Sequence, residues 1–180
     1  MSGLTEKQRR LTKELHDLSD LLSLDYQNIG GYESEARTPY LERAKDHLIR
    51  GAVILDYTLI DEHLSSLMCQ YFFGKKTSFP RLWKTKHFRN FNYYVLEKLY
   101  VRDKLEFARA VCKIPADVAN AIERINSLRN ALAHSFFLEN RRKPPRYKGK
   151  DIRTMDGFQE YWKDREMINS FFMRRLYRVR

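Results

Sequence analysis

Between Tyr40 and Phe72 the apolar side chains Ile49, Val53, Ile60, Leu64, Leu67 and Tyr71 return every three or four positions or multiples of that step. That spacing buries one face of a helix, so it predicts a long helix over this stretch. An earlier stripe of Leu11, Leu15, Leu18, Leu21 and Leu22 predicts a first helix from about Leu4 to Leu24. The intervening Gln27–Pro39, with Gly30-Gly31 and a terminal proline, reads as a loop. Gly74 is placed to end the long helix, and a basic, aromatic segment follows from Lys75 to Arg89. A third helix is expected over Asn90–Val111. Pro115 and Asp117 suit the start of a fourth, which runs from Ala116 to about Phe137. Pro144-Pro145 breaks the pattern, Arg146–Thr154 is polar, and Met155–Tyr177 reads as a final helix. No run alternates with a period of two, as a half-buried strand would. The expected fold is all-α: a compact bundle of four to five helices with basic connecting loops, forming one domain over residues 1–180.

Composition changes this picture little. A hydrophobic fraction of 43% with 13% aromatics excludes a disordered chain. No apolar run approaches the ~20 residues of a membrane span, and the opening MSGLTEKQRR has no hydrophobic signal core. A cytoplasmic protein with no membrane partner is therefore expected. Cys69 and Cys112 lie in apolar helical contexts and lack zinc spacing, so they read as reduced core thiols rather than a disulfide or a metal site.

Charge changes it more. The net charge is +11, and the cations are clustered. Lys75, Lys76, Arg81, Lys84, Lys86 and Arg89 fall in one stretch without an acid. Arg141, Arg142, Lys143, Arg146, Lys148 and Lys150 fall in another, and Arg174, Arg175, Arg178 and Arg180 close the chain. Without these stretches the rest of the chain is acidic on balance. Such patches are either surfaces for a polyanion or solvated loops. Phe79, Trp83, His87 and Phe88, set among the first group of lysines, either stack unpaired bases or anchor the loop.

Familiar catalytic motifs are absent. The sequence has no phosphate-binding glycine loop, no His-Glu-x-x-His and no Cys-x-x-Cys. The five histidines form no metal-binding set on any one helix, so neither a metal nor a cofactor is expected. Two charged residues do sit oddly. Arg129 falls within the apolar stripe Val118, Ile122, Ile125 and Leu132, and Asp56 falls on that of the long helix. A buried arginine needs a partner, so Arg129 pairs with an acid, turns to a subunit interface or opens into a cleft. Asp56 is the acid best placed by pattern, and a buried Asp56–Arg129 pair is one reading of both residues. His134 lies about 140° around a regular helix from Arg129, whereas Asn130 and His134 share a face.

Arg129-Asn130, three further residues and then His134 resemble the signature of the HEPN superfamily, the higher eukaryotes and prokaryotes nucleotide-binding domains. In that family an arginine, usually followed by a polar residue, precedes a histidine by a few positions. The long helix and the basic segment after His134 extend the resemblance over about residues 40–154, leaving 155–180 as a C-terminal helix. The resemblance implies a helical bundle, commonly dimeric, and a metal-independent ribonuclease. Arg129, Asn130 and His134 would be its catalytic residues and Asp56 a supporting one. His134 would move the proton as the RNA 2′-OH attacks the phosphate, and Arg129 would stabilise the charge that develops. Lys75, Lys76, Lys84, Lys86, Arg89, Arg141, Arg142 and Lys143 would hold the RNA backbone. Expected partners are RNA, a second copy of the chain, and an antitoxin or other protein if the role is in toxin control or defence. The alternatives are a non-catalytic RNA- or nucleotide-binding module and a helical regulatory partner protein.

Overall fold

A computed structural model describes residues 6, 34–74, 79–133 and 144–176, with the side chains of 34–40, 79 and 80 excepted. The expected first helix, residue 6 apart, and the segment 134–143 lie outside the described residues. The fold is all-α. Its elements are α1 (Ser34–Phe73), α2 (Phe79–Leu82), α3 (Lys86–Phe91), α4 (Val101–Val111), α5 (Ala116–Ala133) and α6 (Met155–Leu176). Two strands, β1 (Arg146–Tyr147) and β2 (Lys150–Asp151), pair antiparallel, with Tyr147 opposite Lys150. The chain forms two compact units, Met1–Gly51 and Ala52–Arg180, so that α1 spans both.

Local chemistry sets most of these boundaries. Gly74 takes a left-handed φ of 83° and returns its N–H to Gln70 at 3.1 Å, which closes α1. The Thr85 hydroxyl accepts from the Phe88 N–H at 3.2 Å and starts α3. Thr154 does the same for Gly157, also at 3.2 Å, at the head of α6. In the hairpin turn Lys148 and Gly149 both have positive φ, the geometry that a two-residue antiparallel turn requires.

Three boundaries differ from the sequence reading. The long helix begins at Ser34 rather than Tyr40, so Pro39 lies inside it. As the sixth residue of the helix, Pro39 lies past the first turn and removes one ladder N–H, and the helix continues through it. The basic segment is not all loop, since α2 and α3 form within it. The expected helix over Asn90–Val111 is divided. After α3 comes a π-helical turn, Asn92–Leu96, then a break before α4. The break is stabilised by Asp103, whose carboxylate accepts from the Tyr100 N–H at 3.1 Å and so starts a new helix.

In the unit Ala52–Arg180, α6 packs on α5 and on both strands, and α4 packs on α5. The expected stripes supply the interior. Val53, Ile60, Leu64 and Leu67 are buried on α1, and Val118, Ile122, Ile125 and Leu132 on α5. Tyr71 is the exception. It is exposed near the end of α1, edge-on to Phe107 at 5.6 Å. A second apolar cluster joins Met68, Cys69, Leu82, Phe88 and Leu96. Both cysteines are free thiols, and burial pushes the Cys69 thiol up to about 11. The nearby Glu62 adds to that shift and Lys104 opposes it.

The two helical glycines among the described residues have opposite roles. A β-carbon on Gly157 would lie 2.0 Å from the Asp151 carbonyl oxygen, so only glycine lets α6 approach the hairpin this closely. A β-carbon on Gly51 would meet nothing within 4 Å. Gly51→Ala should therefore stabilise the protein by about 0.5–1 kcal/mol through helix propensity. Gly157→Ala should destabilise it by about 1–3 kcal/mol through overpacking. Urea denaturation midpoints that move the same way for both would contradict this assignment.

Candidate functional site

α5 carries the first two residues of the expected triad side by side. Arg129 is half-buried and Asn130 exposed, and Arg129 Nη1 donates to Asn130 Oδ1 at 3.0 Å. His134 lies outside the described residues. The guanidinium carbon of Arg129 sits 4.6 Å from the centre of the Tyr57 ring on α1. Among the described residues an arginine on an apolar stripe is thus accommodated by an aromatic ring that its flat face covers. Burial raises the Tyr57 hydroxyl pKa, with Arg129 opposing the shift and Asp61 reinforcing it. Among the described residues no carboxylate forms an ion pair with Arg129.

The expected Asp56–Arg129 pair is not formed. Asp56 is buried, as its stripe implied, but it faces α6. It accepts a hydrogen bond from the Tyr161 hydroxyl, and Arg165 Nε donates to it at 3.2 Å. Arg165 also lies 4.6 Å over the Trp162 ring. Two positions on one apolar stripe can face different neighbours, and here α6 reaches Asp56. In a double-mutant cycle, Asp56→Asn should couple with Arg165→Ala by about 0.5–3 kcal/mol, whereas with Arg129→Ala it should be additive. Coupling to Arg129 alone would contradict the described contacts.

A neighbouring turn of α6 builds a larger polar cluster that has no signal in the sequence pattern. Asp164 is buried, and four donors converge on it. Lys148 Nζ lies 2.7 Å from Oδ1, while the Tyr147 hydroxyl at 2.7 Å and Arg124 Nη2 at 2.7 Å meet Oδ2, with Arg124 Nε at 3.1 Å. Burial acts to raise the Asp164 pKa, but the hydrogen bonds from Lys148, Tyr147 and Arg124 outweigh it and hold the carboxyl below its ordinary range. The Tyr147 hydroxyl is driven up, chiefly by burial and then by this carboxylate. The rings of Tyr147 and Tyr161 meet edge-on at 5.7 Å, linking the two buried carboxylates through their tyrosines. Beside the cluster a groove of about 450 Å³ runs between α5 and the hairpin, edged by Asn120, Arg124, Ser127, Arg146 and Lys148. A further ion pair joins the buried Lys104 on α4 to the half-buried Asp61 on α1, both contacts at 2.8 Å.

The cationic stretches divide in the same way. Lys148 is bound to Asp164, and Lys150 lies 3.5 Å from Glu160, so part of the second stretch neutralises α6. Arg141, Arg142 and Lys143 lie outside the described residues, as do Lys75 and Lys76. Lys84, Lys86 and Arg89 are exposed. Arg89 Nη1 donates to the carbonyls of Trp83 at 3.1 Å and Lys84 at 3.2 Å, so it also fixes the loop. Of the four proposed stacking residues, Phe88 is fully buried and anchors the second core cluster, while Trp83 and His87 are exposed. The side chain of Phe79 is not among those described. Among the described residues no helix is long and apolar enough to cross a membrane.

No family model, curated protein or solved structure matches this chain. What the site can do therefore rests on its own chemistry.

Proposed function

We propose that this protein is a metal-independent endoribonuclease of the HEPN type, acting on RNA through Arg129, Asn130 and His134. The observation that carries this reading is the state of Arg129. It is held on the Tyr57 ring and joined to Asn130, without an ion pair to any described carboxylate. A guanidinium so placed keeps its charge for a phosphate, which a planar fork of donors suits. Asp56, released from the role of Arg129 partner, supports the fold through α6 instead.

In this reading His134 takes or gives the proton as the 2′-oxygen forms its bond to phosphorus and the 5′-oxygen leaves. Arg129 stabilises the added negative charge, and Asn130 orients Arg129 by accepting a hydrogen bond from its Nη1. The products are a 2′,3′-cyclic phosphate and a 5′-hydroxyl. A second copy of the chain would supply a second histidine, giving acid and base together. Purified protein should cleave single-stranded RNA in excess EDTA and leave these ends. It should sediment at about twice 21.7 kDa at micromolar concentration. Binding without cleavage would favour the alternative, a non-catalytic RNA- or nucleotide-binding module.

A further inference from the structure

We infer that the outer face of α3 and its π-helical turn is a stacking platform for unpaired bases of single-stranded nucleic acid. The inference extends the polyanion reading but does not depend on cleavage. The inner face of this segment is fixed by Phe88 and Leu96, both buried in the second core cluster. The opposite face therefore points to solvent. It carries Lys86, Arg89, Tyr93, Tyr94 and Lys98, all exposed. Tyr93 is 57% and Tyr94 67% accessible, far more than rings recruited to hold a core. Exposed rings of this size in adjacent positions are a cost to solubility unless something covers them.

Several observations indicate nucleic acid as the occupant. Cations flank the two adjacent rings along one face, Lys86 and Arg89 before them and Lys98 after, and Lys86 to Tyr93 spans about 10 Å by helical rise. Lys98 Nζ lies 5.8 Å over the Tyr93 ring, so a cation stands with the aromatic pair. The π turn has its own clamp. The Glu97 N–H reaches back to the Asn92 carbonyl at 2.9 Å, and the Asn92 amide donates to the Glu97 carboxylate at 2.8 Å. The clamp also occupies the one acid in the row. Such turns recur at functional sites, and this one places two tyrosines side by side on the surface. The rings meet edge to face at 5.0 Å, one aromatic pair at the surface. The platform lies beside the basic stretch that includes Lys84, Lys86 and Arg89, which supplies the complementary charge for phosphates. Stacking on aromatic rings with cations tracking the backbone is how single strands are held without sequence preference.

The test uses the full chain and fluorescence anisotropy with a labelled oligo(dT), which has no 2′-OH and so cannot be cleaved by the proposed route. The wild type should bind it, and Y93A/Y94A should weaken binding by about tenfold or more. Y93F/Y94F should bind within about twofold of wild type, because stacking needs the ring and not the hydroxyl. Heparin, a polyanion without bases, should bind Y93A/Y94A and wild type alike. The inference is overturned if wild type does not bind oligo(dT), if Y93A/Y94A binds it unchanged, or if the phenylalanine pair loses as much as the alanine pair. It is also overturned if heparin binding falls in parallel, or if Y93A/Y94A alters the oligomeric mass, which would make the tyrosines a subunit contact. Oligo(dT) binding through the tyrosines in a protein that never cuts RNA would sustain the platform and refute the nuclease reading.

Discussion

Asp164→Ala should destabilise the protein by about 3 kcal/mol, the lower end of the ~3–5 kcal/mol range for breaking a buried ion pair from one side. The geometry decides why the lower end applies. Arg124 and Lys148 are each 36% exposed, so both can swing into water once the carboxylate is gone. The Tyr147 hydroxyl cannot, because Tyr147 is 1% exposed, and an orphaned buried hydroxyl costs about 1–3 kcal/mol. Loss of the buried side chain supplies the rest. Tyr147→Phe, which removes one hydrogen bond and leaves the ion pairs, should cost only about 1 kcal/mol. The pH dependence follows from the depressed carboxyl. Asp164 binds its proton more weakly folded than unfolded, so its contribution is complete at neutral pH. That contribution begins to fade near the unfolded value of about 4 and is lost as pH falls through the lower folded value. Urea denaturation at pH 7 and pH 3 reads this out: the gap between wild type and Asp164→Ala should narrow in acid. A gap that widened in acid would reverse the sign of the linkage.

The largest effect on activity should come from His134→Ala, with a loss of about 10²–10⁴-fold in RNA cleavage, the range that a positioned general acid or base contributes. Arg129→Ala should lose a similar factor, since removing one donor to a developing oxyanion costs about 10²–10³-fold. Arg129→Lys should recover little. Lysine keeps the charge but loses the planar fork and the flat face that covers Tyr57. Because Arg129 lies at 4.6 Å over a ring and pairs with no carboxylate among the described residues, its removal leaves no described buried carboxylate uncompensated. The Arg129 variant should therefore stay folded, and its activity loss can be read as chemistry. Cleavage that requires Mg²⁺, or that survives without His134, would refute the mechanism. A dead Arg129 variant that is also unfolded would show that the residue is part of the core rather than the site.

The pattern of apolar positions by itself determined the all-α class and most of the buried faces of α1 and α5, though not the division of Asn90–Val111 or the exposure of Tyr71. A period near 3.6, a glycine after Phe73, a proline and an aspartate before Val118, and the hydroxyls of Thr85 and Thr154 act through atoms a few residues away. For that reason the stripes of α1 and α5 could be read directly, and the acid of the first was identified as needing compensation. The same reading found Arg129 out of place on its stripe. It could not assign partners. Asp56 meets Arg165 across 109 residues of chain and Lys104 meets Asp61 across 43, contacts set by how helices turn toward one another. Arg129 illustrates the same limit, since a neighbouring aromatic ring solved a problem for which the sequence pattern pointed to an acid. A count of cations is likewise a property of the sequence, but which of them remain available to a ligand is not. Lys148 and Lys150 are committed to carboxylates of α6, whereas Lys84 and Lys86 reach solvent. Secondary structure follows from local geometry, and the electrostatics of a site follows from packing, because charges interact through space rather than along the chain.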